Sequence, residues 1–337
     1  MDTPVNSIAV EVLRERVSQR LGKECVDLES YMGGMHHQTY KALMNDRSLR
    51  IIRVHCVRAR RHGGGITPMT KLPSEVATLK YVKEHTCIPV PEVIDYDRDE
   101  DGAVGGEWMV MEYIPGVSLG EKWGEMTVTQ KGEAARSIAN VWAELLSLTF
   151  PAIGSLYEEG KIGQMTFFPS NNPNNMAPPD HRSCGPFDSA QAWLLAVAAE
   201  DLTFRPLPER SSFELARRKL VTEFIQDNDL WDNLEAQRLS RITLEHRDLT
   251  LRNILVEKED PTRIVGVIDW EAARTVPLWA VRGDFFKSCI HIMSDGEREE
   301  LSIMIREIVA ERVPDWYDAT SNLGRVFSTL LDQAEKS

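Results

Sequence analysis

The chain has 337 residues, 42% hydrophobic and 27% charged, which is ordinary globular material and excludes extended disorder over most of its length. A formal net charge of -13 excludes broad nucleic-acid binding, which needs a cationic surface, and suits a cationic small molecule better. Five single cysteines with no CxxC pair suggest neither a zinc site nor a disulfide framework; with no signal-peptide pattern and no apolar run of membrane length, a cytoplasmic protein with no membrane association is expected.

In chain order, Asn6 or Ser7 offers a cap for a first helix, whose apolar positions Ile8, Val12, Leu13, Val17 and Leu21 run to a stop at Gly22. The stretch LESYMGGMHHQTYKALMNDRSLRIIRVHC then reads as a loop bearing Gly33 and Gly34, followed by a hairpin of the runs QTYKAL and LRIIRVHC about the turn MNDRS. Gly63 to Gly65 mark another loop. A helix is expected from about Pro73 to His85, capped by Ser74, with Val76, Leu79 and Val82 on one face. IPVPEVIDYDRDEDGAVGGEWMVMEYIPG reads as a strand, a polar turn and a strand that ends at Pro115 and Gly116.

From about Leu119 the pattern turns helical, in KGEAARSIANVWAELLSL, SAQAWLLAVAAEDL, SSFELARRKLVTEFIQDN and REELSIMIREIVAERV. The change near residue 116 predicts an α+β protein of two lobes: a β-rich lobe over 1–115 and a mainly helical lobe over 116–337. Thr166 to Phe187, rich in Asn and Pro, reads as an irregular surface excursion, with a substrate lid as the alternative.

The chemistry concentrates in LEHRDLTLRNILVEKEDPTRIVGVIDW, Leu244 to Trp270. Phosphoryl transfer from ATP requires a carboxylate beside the attacking hydroxyl, ligands for Mg²⁺ and fixed positive charge on the phosphates. Asp248 and Asn253, five residues apart on a short loop, can supply the carboxylate and one metal ligand, and Asp269, after the β-like run Ile264 to Ile268, can supply another. Oxygen ligands of this kind suit Mg²⁺.

HRDLTLRN followed by IVGVIDWE resembles the catalytic loop and metal-binding strand of the aminoglycoside phosphotransferase and choline kinase-like enzymes, which share the protein-kinase fold. That resemblance implies Asp248 as catalytic base, Asn253 and Asp269 as Mg²⁺ ligands, and His246 as a scaffold residue of the loop. It also implies that Glu75 pairs with a phosphate-binding base on the third strand, and that backbone groups around Glu112 to Ile114 bind adenine. IGSLY and CGPF are similar to segments of fungal members. The implied activity is transfer of phosphate from ATP to a hydroxyl of a small molecule.

The chain departs from the family pattern in three places. Arg53 stands where the third-strand base is usually Lys, and a guanidinium differs in reach and geometry from an ammonium. The nucleotide loop, with Gly33 and Gly34, has neither a GxGxxG nor a GxxxxGK[ST] spacing. The loop HRDLTLRN resembles the tyrosine-kinase version, but DWE in place of DFG and the lack of an APE sequence favour a small-molecule acceptor over a protein. A pseudokinase that binds nucleotide or a partner without turnover is the reading from another class, left open by Arg53.

Three lesser features complete the expectations. His36 and His37 read as loop residues near nucleotide, with no partner at metal spacing. Trp270, Trp279 and Trp316 offer a cage for a cationic group, or core packing. The acidic run from Asp295 to Glu300 reads as a solvated helix start. The acceptor's identity, ATP against GTP and the oligomeric state have no signature in the sequence.

Overall fold

A computed structural model of the chain describes residues 8–33, 37–55, 71–166, 185–198, 211–281, 285–286 and 292–336. Asn6, Ser7, Gly34, His36, Gly63 to Gly65 and residues 167–184 of the expected excursion lie outside them. The architecture is α+β, with an antiparallel sheet in the N-terminal lobe and helices dominating the C-terminal lobe.

The five-stranded sheet comprises β1 (Cys25–Gly33), β2 (His37–Met44), β3 (Leu49–His55), β4 (Val93–Asp97) and β5 (Trp108–Glu112), in the order β1-β2-β3-β5-β4. The hairpin expected from the sequence is β2 and β3, paired from His37 opposite His55 to Leu43 opposite Leu49. β1, by contrast, occupies much of what reads as a loop. It is an edge strand whose sequence CVDLESYMG carries polar residues among the apolar ones, so no clean apolar alternation marks it.

Alternation along the inner strands decides what each face meets. Ile52, Val54, Trp108 and Val110 pack with Leu13 and Val17 of helix α1 (Val10–Leu21) in one core. The opposite face carries Met109 and Met111, which pack with Val76, Leu79 and Val82 of helix α2 (Lys71–His85) in the core that runs into the helical lobe. Arg53, between Ile52 and Val54, therefore lies on the α2 side.

Two helix starts differ from expectation. α1 begins after Ala9, with no side-chain cap; Ala9 N–H donates instead to Val104 C=O (2.9 Å), and Gly22 ends the helix at φ 63°. α2 already includes Lys71, the first described residue of this stretch, so Pro73 lies inside the helix and does not start it. Ser74 is thus inside the helix, where its carbonyl accepts a bond from Thr78 Oγ1 (2.8 Å), and it is no cap.

In the helical lobe, Val128–Ser147 starts from a capping box between Thr127 and Gln130 and packs against Asp295–Arg312. The acidic run opens the latter helix, capped by Ser294. Trp270, Trp279 and Trp316 are each 1% exposed, which rules out the cationic cage. Their ring N–H groups donate to Val267 C=O, Ser240 Oγ and Val281 C=O, so all three are core residues. Among the described residues no helix is long and apolar enough to cross a membrane.

Candidate active site

Two short ladders hold the site. Ile242–Glu245 pairs with Arg274–Pro277, and Ile254–Val256 pairs with both Ile264–Val267 and Val117–Ser118. The loop from His246 to Asn253 crosses from one ladder to the other, and so does the turn bearing Asp269 and Glu271. Both are therefore anchored at each end.

Backbone bonds fix the loop further. Thr250 N–H donates to Asp248 C=O (2.9 Å), Asn253 N–H to Thr250 C=O (3.0 Å), and Ile268 N–H to Asn253 C=O (2.9 Å), which ties the two turns together. Arg247 and Asp269 adopt φ 69° and 68°, a left-handed conformation that non-glycine residues keep only where their surroundings impose it.

His246 lies beneath the loop, fully buried, with its ring centroid 4.3 Å from that of Trp270. Its Nδ1 accepts the Asp248 N–H (3.3 Å), so the ring proton sits on Nε2 and is donated to Ile268 C=O (3.1 Å). Burial pushes the His246 pKa down to about 4, and the ring is neutral. One imidazole thus links the backbone of Asp248 to the backbone just before Asp269.

Asp248 faces the open side of the site. Asn253 Nδ2 donates to its Oδ2 (2.9 Å) and to its carbonyl (2.8 Å). Desolvation by the surrounding walls, then the charge of Asp269, push its carboxyl above the ordinary aspartate value.

A cavity of about 630 Å³ brings Asp248, Asn253, Asp269, Arg53, Glu75, Glu112 and Ile114 to one surface. Leu79, Met111 and Leu255 give it an apolar wall. Glu112 N–H is already donated to Glu92 C=O (2.9 Å), and Ile114 C=O accepts the Gly116 N–H (2.8 Å). In β1, Gly33 pairs with Gln38, and the strand contributes Tyr31 to the cavity lining.

Arg53, 6% exposed, is the centre of a charged network. Nη1 donates to Glu75 Oε1 (2.5 Å) and Nη2 to Asp269 Oδ1 (3.0 Å), so one guanidinium spans α2 and the Asp269 turn. Burial pushes the Glu75 carboxyl up, but Arg53 and then His55 outweigh it and hold the pKa at about 2. Three further members escaped the sequence reading of the site. Lys71, 2% exposed, places Nζ 2.6 Å from Glu271 Oε2, and His55 Nε2 lies 3.6 Å from Glu75 Oε2. His55 had a local signal, since it shares with Arg53 one face of β3 at a spacing of two, and Glu271 ends the motif IVGVIDWE; Lys71 had none.

His37 corrects its expectation. It lies in β2, and one of its ring nitrogens is within 4.8 Å of carboxylate oxygens of both Asp269 and Glu271. Burial and then the charge of Arg53 hold its pKa at about 3. The partners are remote in sequence, so no motif spacing reveals them. Three donor atoms this close fit a divalent cation.

Comparison with known proteins follows this geometry. Among solved structures the chain is similar to the streptomycin–ATP complex of APH(2″)-IIa, with a TM-score of 0.53 and 16% identity over 98% of this chain and 91% of that one. The gentamicin complex of APH(2″)-IIa gives a TM-score of 0.51 and 14% identity over 97% and 89%. These likenesses show the fold, which is the two-lobed, protein-kinase-like one.

Among curated relatives, a subtelomeric hrmA-associated cluster protein of Aspergillus fumigatus is 24% identical over 68% of this chain and 55% of its own length. Altered inheritance of mitochondria protein 9, mitochondrial, of Candida tropicalis is 32% identical over 37% of this chain and 20% of its own. The chain spans about half or less of the length of these relatives. Residues 33–280 match the phosphotransferase enzyme family, and the chain belongs to that family.

Proposed function

We propose that the protein transfers the γ-phosphate of ATP, with Mg²⁺, to a hydroxyl of a small molecule. The observation that carries this reading is the convergence of Asp248, Asn253, Asp269 and the Arg53–Glu75 pair on one cavity, in a chain of the phosphotransferase family. On this reading residues 1–115 form the nucleotide lobe and 116–337 the lobe that carries catalysis and acceptor choice.

Asn253 and Asp269 would hold the divalent cation, which when bound neutralises charge on the phosphates. Asp248 orients the acceptor hydroxyl and takes its proton as the new O–P bond forms. Asn253 fixes one oxygen of that carboxylate at 2.9 Å, and His246 fixes its backbone. Glu75 keeps Arg53 in place beside the phosphates. The segment Glu112 to Ile114 forms the wall for the adenine edge. Glu121 in the lining, with the net charge of -13, favours a cationic acceptor.

A cytoplasmic site of action stands beside the mitochondrial one in the names of the yeast relatives, and fractionation of a tagged copy separates the two. The test of function is ADP release by the whole chain across a panel of hydroxyl compounds, aminoglycosides and amino alcohols included. Phosphorylated product is identified by mass spectrometry, and Asp248→Asn is the control. A wild-type rate equal to that of the control with every acceptor would refute the proposal.

A further inference from the structure

Arg53 Nη2 sits among three metal-type donors. It lies 3.0 Å from His37 Nδ1, 3.0 Å from Asp269 Oδ1 and 3.9 Å from Glu271 Oε2. A guanidinium has N–H donors and no acceptor, so the His37 nitrogen facing it presents a lone pair. One imidazole lone pair and two carboxylates therefore converge on a single positive nitrogen. The same guanidinium is held from the other side by Glu75, so Nη2 can leave this position without the side chain losing its anchor. Lys71 Nζ, 2.6 Å from Glu271, is a second internal cation on the set.

Ligand type decides which ion such a set prefers. Mg²⁺ takes oxygen ligands and keeps its waters, whereas imidazole nitrogen suits the first-row transition ions. We propose that His37, Asp269 and Glu271 form a divalent-cation site of mixed nitrogen and oxygen ligation that favours Mn²⁺ over Mg²⁺, with Arg53 as the internal cation the metal displaces. The site shares Asp269 with the proposed phosphotransfer chemistry and rests on that reading only in this residue. His37 and Glu271 are its own.

The test uses the untagged whole chain without nucleotide or acceptor, titrated with Mn²⁺ and followed by electron paramagnetic resonance. One bound Mn²⁺ with a ¹⁴N coupling from a ring nitrogen is expected. His37→Gln should remove that coupling and weaken binding by at least about tenfold, the order of change that lost metal-site interactions produce. Mg²⁺ should displace the ion only at a free concentration well above that of Mn²⁺. Arg53→Met removes the competing charge and should tighten Mn²⁺ binding.

Bound Mn²⁺ without ¹⁴N coupling in the wild type overturns the proposal, as does failure to bind Mn²⁺ or displacement by equimolar Mg²⁺. The wild-type spectrum decides even if a variant misfolds. Oxygen-only ligation alongside acceptor-dependent ADP release would sink the mixed site and leave phosphotransfer standing. A ring-nitrogen signal with no ADP release would do the reverse.

Discussion

His246 ties acid stability to the geometry of the loop from His246 to Asn253. Both ring nitrogens are committed in the neutral form, with Nδ1 accepting from Asp248 N–H and Nε2 donating to Ile268 C=O. A proton added at Nδ1 would set two N–H donors against each other inside a fully buried pocket. The folded pKa of about 4 lies below the ordinary 6.5, so between these values the unfolded chain takes a proton that the folded chain refuses. The stabilisation is complete above pH 6.5 and is lost as pH falls through about 4. At pH 4.5 a single such group costs roughly 2–3 kcal/mol, taking 1.36 kcal/mol per pKa unit. His246→Gln keeps an amide N–H for Ile268 and removes the titration. Urea unfolding of both proteins at pH 7.5 and pH 4.5 measures the effect. The wild type should lose about 2–3 kcal/mol more than the variant over this range, while His37, present in both, cancels. Equal losses would mean that the ring is protonated in the folded state, and the proposed hydrogen-bond roles would be wrong.

Other outcomes test the rest of the site. Asp248→Asn should lose about 10² to 10⁴ in kcat, the usual worth of a general base, with nucleotide affinity unchanged; steady-state ADP release and equilibrium nucleotide binding measure the two, and an unchanged kcat removes Asp248 from the role. Glu75→Ala takes a partner from a pair whose side chains are 6% and 0% exposed, and should destabilise by about 3–5 kcal/mol in urea unfolding. A loss under about 1 kcal/mol would show that Asp269 alone satisfies Arg53. Lys71→Met and Glu271→Gln, separately and together, should couple by about 0.5–3 kcal/mol in a stability cycle, and additive effects would show that their 2.6 Å contact carries no energy.

How much of this was legible in the sequence depended on distance along the chain. Asp248, Asn253 and Asp269 stand next to the strands Ile254–Val256 and Ile264–Val267, so residue type and local β pattern point to them together. The helix face Val76, Leu79 and Val82 reads equally well, because the burial that stabilises α2 repeats with its own turn. β1 does not, since an edge strand with few buried side chains leaves little periodic signal. Lys71, His37 and Glu271 come together only through tertiary packing: the motif DWE and the nucleotide loop mark Glu271 and His37 singly, but nothing local shows that they meet. Tryptophans have the opposite problem: the cage and the core need the same residue type, and only their 1% exposure separates the two.

Arg53 shows how one substitution changes what the site can couple. A lysine ammonium is a point charge, whereas the guanidinium offers nitrogens on separate arms of a rigid fork. Here one arm holds Glu75 on α2 at 2.5 Å and the other holds Asp269 at 3.0 Å, across 216 positions of sequence. The position of α2 and the orientation of Asp269 are thereby joined through a single planar group. His246 adds a second tie, from the Asp248 backbone to Ile268, the residue before Asp269. Arg53 thus links α2 to Asp269 in the metal-free chain, and the imidazole separately links the Asp269 turn to the Asp248 backbone. A lysine at position 53 would keep the charge on a single nitrogen, whereas the guanidinium meets Glu75 and Asp269 with two nitrogens of one plane.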